Sequence, residues 1–297
     1  MKIVFLGGDT FLRIFAYMLA GHEVMALYAY GNQEDCFRSG EIVQLARQHD
    51  VPVHYGKLSE ADVRQYIERG CEMFFSADYG RKIPVLPQEE GFYAVNLHNA
   101  LLPEGRGYCP VEFAMEQGLR RSGVTMHKLA DKFDAGEIIL QESFEITAED
   151  DSVDVYLKCA QTGFRMTEKL LENFTYLYGH ARPQEKLLPT CKLEHYDEAR
   201  LSHALSVAEA RRLYRIYNCL LRVKIHDRVY FVGGFSCGKA ELCTDVIDEG
   251  WGVLYRLRDG HARLQLIEAE HGDAVWQAET YPFPRMSWGG TDCRKNS

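Results

Sequence analysis

Over the first half of the chain, short apolar runs rich in β-branched residues alternate with segments of helical spacing. Lys2 to Leu6 is the first such run; it ends in Gly7-Gly8 and reads as a buried strand and its turn. Thr10 to Ala20 carries apolar residues at helical spacing, with Gly21 the expected C-cap. Val24 to Tyr28 is a second strand. A helix over Glu41 to His49 leads to a short strand at Val51 to Val53, and Ala61 to Arg69 is another helix. Cys71 to Phe75, Tyr93 to Leu97 and Val124 to Lys128 are further strands. Alternating strands and helices predict an α/β, Rossmann-like parallel sheet with right-handed crossovers.

The pattern then changes. Asp154 to Tyr178 reads as one long amphipathic helix, with Tyr156, Cys159, Phe164, Leu170, Leu171 and Phe174 on its apolar side. His180 to Tyr196 is polar, holds Pro183 and Pro189, and reads as a linker. After a helix over Ser202 to Leu221 the period falls to two. Arg222 to Phe231, Ala240 to Val246, Gly252 to Leu257 and Ala262 to Glu268 are strand candidates, with a hairpin at Asp259-Gly260. The expected organisation is a first domain over 1–180, a linker over 181–199, and a small β-rich, barrel-like domain over 200–297.

Composition narrows the possibilities. The 297 residues, 46% hydrophobic and 26% charged, suit two soluble globular domains. The formal charge of −9 argues against DNA or another polyanion as a partner. Nine cysteines are scattered without a Cys-x-x-Cys pair, so neither a metal site nor a disulfide framework is expected, and free thiols in the cytoplasm are the simpler reading. No apolar stretch approaches the ~20 residues of a membrane helix. Gly7-Gly8-Asp9 lacks the third glycine of a dinucleotide fingerprint and is read as a tight strand-to-helix turn.

Candidate chemistry is concentrated between Phe92 and Glu142. Asn96 and His98 lie near the C-terminal end of a predicted strand, where α/β folds place ligands, and their spacing of two turns them to one side. Leu101 to Gly107 is a loop stiffened by Pro103 and loosened by two glycines, and Asp134 stands in the turn Phe133-Asp134-Ala135-Gly136. An amide, an imidazole and a carboxylate at one sheet edge suit acyl transfer to an amine. Asn96 and a protonated or hydrogen-bonding His98 would stabilise the oxygen that gains charge, where one such donor is worth ~2.7–4 kcal/mol. Asp134 would accept the amine's proton, directly or through a water, or hold His98 charged. Taken singly, each residue is also an ordinary turn or strand-end residue, so these residues alone leave the reaction open.

The same segment resembles the signature of the folate-dependent formyltransferase family, which includes methionyl-tRNA, sugar-nucleotide and glycinamide ribonucleotide formyltransferases. The elements are Asn96-Leu97-His98, Leu101-Leu102-Pro103, Arg106-Gly107 with Pro110, Gly123-Val124-Thr125-Met126-His127, and Asp134-Ala135-Gly136. The resemblance implies Asn96, His98 and Asp134 as the catalytic trio and 10-formyltetrahydrofolate as the formyl donor, with no metal. It implies that Tyr79, Gly80, Arg81 and Ile83 line the pterin site with Leu102, and that the backbone of Leu129, Ala130, Asp131 and Lys132 meets the ring's polar edge. Arg106, Gly107 and Tyr108 would face the acceptor. Two positions depart from the pattern: Ala100 stands where the family often has Ser, and the loop Gly31 to Ser39 is acidic where tRNA-acting members are usually basic. From Arg200 to Ser297 there are 14 Lys plus Arg against 12 Asp plus Glu, a weak footprint for tRNA. The expected acceptor is therefore a small amine, an amino sugar nucleotide or an amino-acid derivative. Methionyl-tRNA formylation, formyltetrahydrofolate hydrolysis and non-catalytic folate binding are the alternatives; glycinamide ribonucleotide enzymes resemble only the first ~200 residues.

Overall fold

The computed structural model describes residues 1–29, 39–86, 92–191 and 200–268. The acidic loop after the second strand, except Ser39, lies outside them, as do the end of the expected linker and everything after residue 268. The chain divides into two compact units, Met1–Glu194 and His195–Ser297.

In the first unit the elements run β1 (Lys2–Gly7), α1 (Leu12–Gly21), β2 (Glu23–Ala29), α2 (Gly40–Gln48), β3 (Val53–His54), α3 (Glu60–Glu68), β4 (Met73–Ala77) and β5 (Ala94–His98). There follow α4 (Pro110–Glu116), β6 (Arg121–Lys128), β7 (Ile138–Glu145), α5 (Ser152–Glu172) and α6 (Phe174–Gly179). One seven-stranded sheet has the order β3-β2-β1-β4-β5-β6-β7. β1 to β5 are parallel, and their apolar runs are buried on both faces, as such strands require. Phe5 meets Phe15 edge-on at 5.2 Å and stacks on Phe75 at 5.8 Å at the centre of this core. Each such pair contributes roughly 0.5–1.5 kcal/mol beyond area burial.

The sheet is not parallel throughout, as the alternation predicted. β6 runs antiparallel to β5, and β7 antiparallel to β6. The nine residues between β6 and β7 are too few for a parallel crossover, which needs a dozen or more. β7 carries no strand signal in the sequence because only Ile138 and Ile139 are buried and Gln141, Glu142, Ser143 and Glu145 break the apolar run. Helical details also differ. Gly21 is the last residue of α1 rather than a left-handed cap, since His22 follows in extended conformation. The long helix is interrupted at Asn173, which separates α5 from α6.

The turn after β1 is committed internally. A Cβ on Gly7 would lie 2.1 Å from the carbonyl oxygen of Ala77, so only glycine permits the β1–β4 approach there. The Asp9 carboxylate accepts the Ile42 amide at 2.8 Å at the start of α2, and Thr10 Oγ1 donates to Asp78 at 3.0 Å.

The second unit contains β8 (Arg200–Leu201), α7 (Val207–Tyr217), β9 (Arg222–Ile225), β10 (Arg228–Gly238), β11 (Val246–Asp248), β12 (Val253–Leu257) and β13 (Gly260–Glu268). Its sheet has the order β11-β12-β13-β10-β9-β8, with β11 and β8 at the two ends among the described residues. The run Arg222 to Phe231 is two strands rather than one, folded back at His226, whose φ is +52°. The strand expected over Ala240 to Val246 begins only at Val246. The hairpin at Asp259-Gly260 forms, with Leu257 opposite Gly260.

Candidate active site

The antiparallel register of β5 and β6 builds the centre of the site. Asn96 pairs with His127 and His98 with Thr125, so the polar faces of two strands meet at the sheet's edge. The β6–β7 turn then returns Asp134 over this face. Its φ of +50° is an uncommon conformation for a side chain other than glycine. At Gly136 an added Cβ would lie 1.7 Å from the carbonyl oxygen of Lys128, so the turn after the aspartate requires glycine.

Asn96, His98 and Asp134 converge on one point. Asp134 Oδ1 lies 3.4 Å from Asn96 Nδ2 and 3.6 Å from His98 Nδ1. The Gly107 amide donates to Asp134 Oδ2 at 2.8 Å. The side chains of His98 and Asp134 are only 8% and 11% exposed, which keeps water from competing for these contacts.

Carbonyl acceptors settle both imidazole tautomers, since a carbonyl must receive a proton. His98 Nε2 is 2.7 Å from the Gly105 carbonyl and therefore carries its hydrogen, leaving the Nδ1 lone pair toward Asp134. His127 Nδ1 donates to the Lys128 carbonyl at 2.8 Å, so His127 Nε2 is an acceptor and takes one Asn96 amide hydrogen at 3.0 Å. The other Asn96 hydrogen meets Asp134 only at the long distance of 3.4 Å.

Burial pulls the pKa of His98 below its usual value, and this outweighs the opposing pull of Asp134. Of the two forms considered for this residue, the neutral one holds near neutral pH. For Asp134, burial alone would raise the pKa. The contact with His127, the proximity of His98 and the Gly107 amide overcome it and bring the carboxyl down to about 2. The pair is therefore a neutral imidazole facing an ionised carboxylate.

Around this centre, Ile83 is buried in the core beneath β1, β2 and β4, and Tyr79 and Leu129 pack against the same cluster. Tyr79 donates to the Gly56 carbonyl at 3.2 Å, and Arg81 Nη1 donates to the Tyr55 carbonyl. Gly80, Asp131 and Lys132 are exposed and Ala130 half-buried. Leu102 is buried; its amide donates to Thr125 Oγ1 at 3.1 Å and its carbonyl accepts Gln141 Nε2 at 2.8 Å. Tyr108 is 63% exposed. The buried Arg106 turns its guanidinium inward, donating at 2.6 Å to each of the Leu188 and Phe133 carbonyls.

Three contributors were not assigned roles from the sequence. His127 and Thr125 stand in the Gly-Val-Thr-x-His motif, and a period of two on β6 puts them on one face opposite Asn96 and His98. Thr125 Oγ1 donates to the Ala100 carbonyl at 2.6 Å and so ties down the loop that departs from the family pattern. Gln184 carried no sequence signal at all. It comes from the segment expected as a linker, whose first part is instead fixed to the site: Arg182 bridges to Ile138 and Cys191 to Gly107.

Among the described residues there is no group of three or more His, Cys, Asp or Glu side chains arranged to hold a metal, and no helix long and apolar enough to cross a membrane.

Comparison with known proteins places this geometry in context. A family model described as formyl transferase matches residues 18–169, which include the whole cluster. The methionyl-tRNA formyltransferase of Anaplasma marginale is 32% identical over 182 residues, which are 58% of this chain and 60% of that protein. The chain thus spans about 60% of the length of the curated relatives it matches. Among solved structures, HypX from Aquifex aeolicus in complex with tetrahydrofolic acid superposes with a TM-score of 0.64 at 18% identity, over 89% of this chain and 43% of that one. An N-formyltransferase from Helicobacter canadensis, in complex with folinic acid and dTDP-3-aminofucose, gives a TM-score of 0.61 at 16% identity, over 90% of this chain and 99% of that one. At these identities the structures speak for the fold alone. The family model, matching half of the chain, decides the remaining question: this chain belongs to the formyl transferase family.

Proposed function

We propose that the protein is an N-formyltransferase that moves a formyl group from 10-formyltetrahydrofolate to the primary amine of a small molecule. The observation that carries this reading is the convergence of Asn96, His98 and Asp134 within 3.6 Å of a single carboxylate oxygen. The residues present suit such a donor: a carbonyl needs a hydrogen-bond donor, and Asn96 has one amide hydrogen held only at 3.4 Å. Tyr79 and Leu129, only partly buried against the core cluster that holds Ile83, offer a flat ring an apolar surface to pack on. The folate supplies a formyl carbon already activated for transfer.

The protein's part then follows from its protonation pattern. Asn96, oriented by His127, donates to the formyl oxygen as negative charge builds there, the kind of interaction whose loss costs roughly 10²–10³ in rate. A primary amine must arrive neutral and then lose a proton. That proton has a ready position between His98 Nδ1 and Asp134 Oδ1, where an imidazole lone pair already faces an ionised carboxylate. Sharing it turns a lone pair facing a negative charge into an ion pair, and handing it on to the folate nitrogen as that nitrogen's bond to the formyl carbon breaks releases tetrahydrofolate and restores the pair. No serine or cysteine nucleophile is needed. Cys191, near this cluster, has its thiol pushed up to about 11 by burial and is unreactive at neutral pH.

A second reading, formylation of methionyl-tRNA, is favoured by the named activity of the curated relatives. The balanced charge of the C-terminal region and the overall charge of −9 favour the small amine. Both readings are tested by following tetrahydrofolate release from 10-formyltetrahydrofolate. Under the proposal, release requires a small amine and ignores initiator tRNA. Release that requires charged tRNA would establish the second reading, and release without any acceptor would make the protein a hydrolase.

A further inference from the structure

The turn that carries Asp134 is held in place from outside its own strand pair. Gln184 Nε2 donates to two carbonyls of that turn, those of Asp134 and Gly136, at 2.9 Å each. Both amide hydrogens are used, and two carbonyl acceptors leave no other orientation for the amide. Gln184 Oε1 is enclosed, with no donor among the described residues, so the side chain is placed for what its nitrogen does. The same turn is also held by Arg106 Nη2, which donates to the Phe133 carbonyl, and by the Gly107 amide, which donates to the Asp134 carboxylate. Gln184 itself belongs to a strap that bridges to Ile138 through Arg182 and to Gly107 through Cys191.

We infer that Gln184 is a positioning residue for formyl transfer: by clamping the Asp134 and Gly136 carbonyls it fixes the left-handed turn at Asp134 and so aims the carboxylate at His98. The inference rests on the function proposed above. Its physical basis is that the direction of a carboxylate follows from the backbone carrying it. An αL conformation costs a residue other than glycine energy, less for Asp than for most, so contacts on the flanking backbone decide how firmly it is held. Two hydrogen bonds on flanking carbonyls hold it here. No bond links Gln184 to Asn96 or His98, so its effect passes through Asp134.

The test uses the full-length protein with two substitutions. Gln184→Met keeps length and approximate volume but removes both donors; Gln184→Lys restores a donor group that reaches two carbonyls. A shift of about 1 Å in a reacting group costs up to roughly 10²-fold. We expect Gln184→Met to lower kcat by about tenfold or more, with KM for 10-formyltetrahydrofolate changed by less than about twofold, and Gln184→Lys to recover most of the loss. A side chain that merely stabilised the fold would lower the melting temperature and leave kcat per folded molecule intact. A Gln184→Met enzyme with kcat within about twofold of the parent would overturn the inference. Crystal structures of the parent and Gln184→Met provide a readout without turnover. The Asp134 carboxylate is expected to leave the Gly107 amide in the variant, and an unmoved carboxylate would also refute the idea. If the parent itself transfers no formyl group, the proposed function fails, while this structural comparison still decides whether Gln184 sets the position of Asp134.

Discussion

Two regions of this molecule hold carboxylates and their partners under opposite conditions. Around β5 and β6 a carboxylate, two imidazoles and an amide are buried together, each bound to another or to a backbone group. In the second unit, Arg256 pairs with Asp245, Arg258 with Glu209 and Arg263 with Glu249 on open surface. Water screens the surface pairs, and such contacts contribute little. In the buried cluster, burial keeps His98 neutral, and the contacts around Asp134 overcome burial and keep it ionised. The contrast shows where chemistry is prepared, because only the buried set holds its charges in a fixed geometry before a substrate arrives.

The comparison breaks first at the trio. His98→Ala and Asp134→Asn should each lower transfer by about 10³-fold or more while the circular dichroism spectrum stays native, since both remove the proton's destination. Near-normal turnover in either variant would remove that residue from the mechanism. Asn96→Ala should cost less, roughly 10²–10³ in kcat, as one donor to the developing charge is lost.

The pH dependence of stability sharpens the contrast. Asp134 has a folded pKa of about 2, below the ordinary carboxylate value of 3.8. Its ionised form therefore stabilises the fold above about pH 4, on the order of 2 kcal/mol, and that contribution is lost as the pH falls from about 4 to 2. His98 acts in the same direction at higher pH. Its folded pKa lies below 6.5, so the unfolded chain takes up the proton first and stability declines as the pH drops below that value. In chemical denaturation across pH, Asp134→Asn should flatten the lower window and deepen the upper one, because the carboxylate's opposing pull on His98 is gone. An unchanged profile between pH 2 and 4 would contradict the assigned ionisation.

Effects in the second unit should be small and without consequence for transfer. Ser206 caps α7, accepting the Glu209 amide at 3.2 Å, so Ser206→Ala should cost about 1 kcal/mol in thermal unfolding. Arg263→Ala should cost less than about 1 kcal/mol. A loss of transfer rate at constant stability in either variant would tie this unit to the chemistry.

Much of this was legible in the sequence because two periodicities carried it. Buried runs such as Ile3 to Leu6 and Met73 to Phe75, the latter within the strand expected over Cys71 to Phe75, announce parallel strands, and the spacing of Asn96 and His98 announces a shared face. The direction of β6 was not legible, since an antiparallel strand with both faces buried has the same apolar pattern as a parallel one. β7 escaped because its exposed positions break the run. Gln184 was invisible for another reason: a polar residue between prolines reads as solvated chain, and only its two carbonyl partners, about 50 residues earlier in sequence, give it a role. His127 was within reach, since the same period of two that paired Asn96 with His98 applies to Thr125 and His127.

The most direct test of the account is a crystal structure with bound folinic acid, a stable formyl-bearing folate. The account requires the formyl-bearing end of the molecule to lie beside Asn96 Nδ2, facing the His98–Asp134 pair, with the pterin ring against Tyr79, Ile83 and Leu129. A folate bound with its formyl group away from Asn96, His98 and Asp134, or bound elsewhere on the chain, would contradict it.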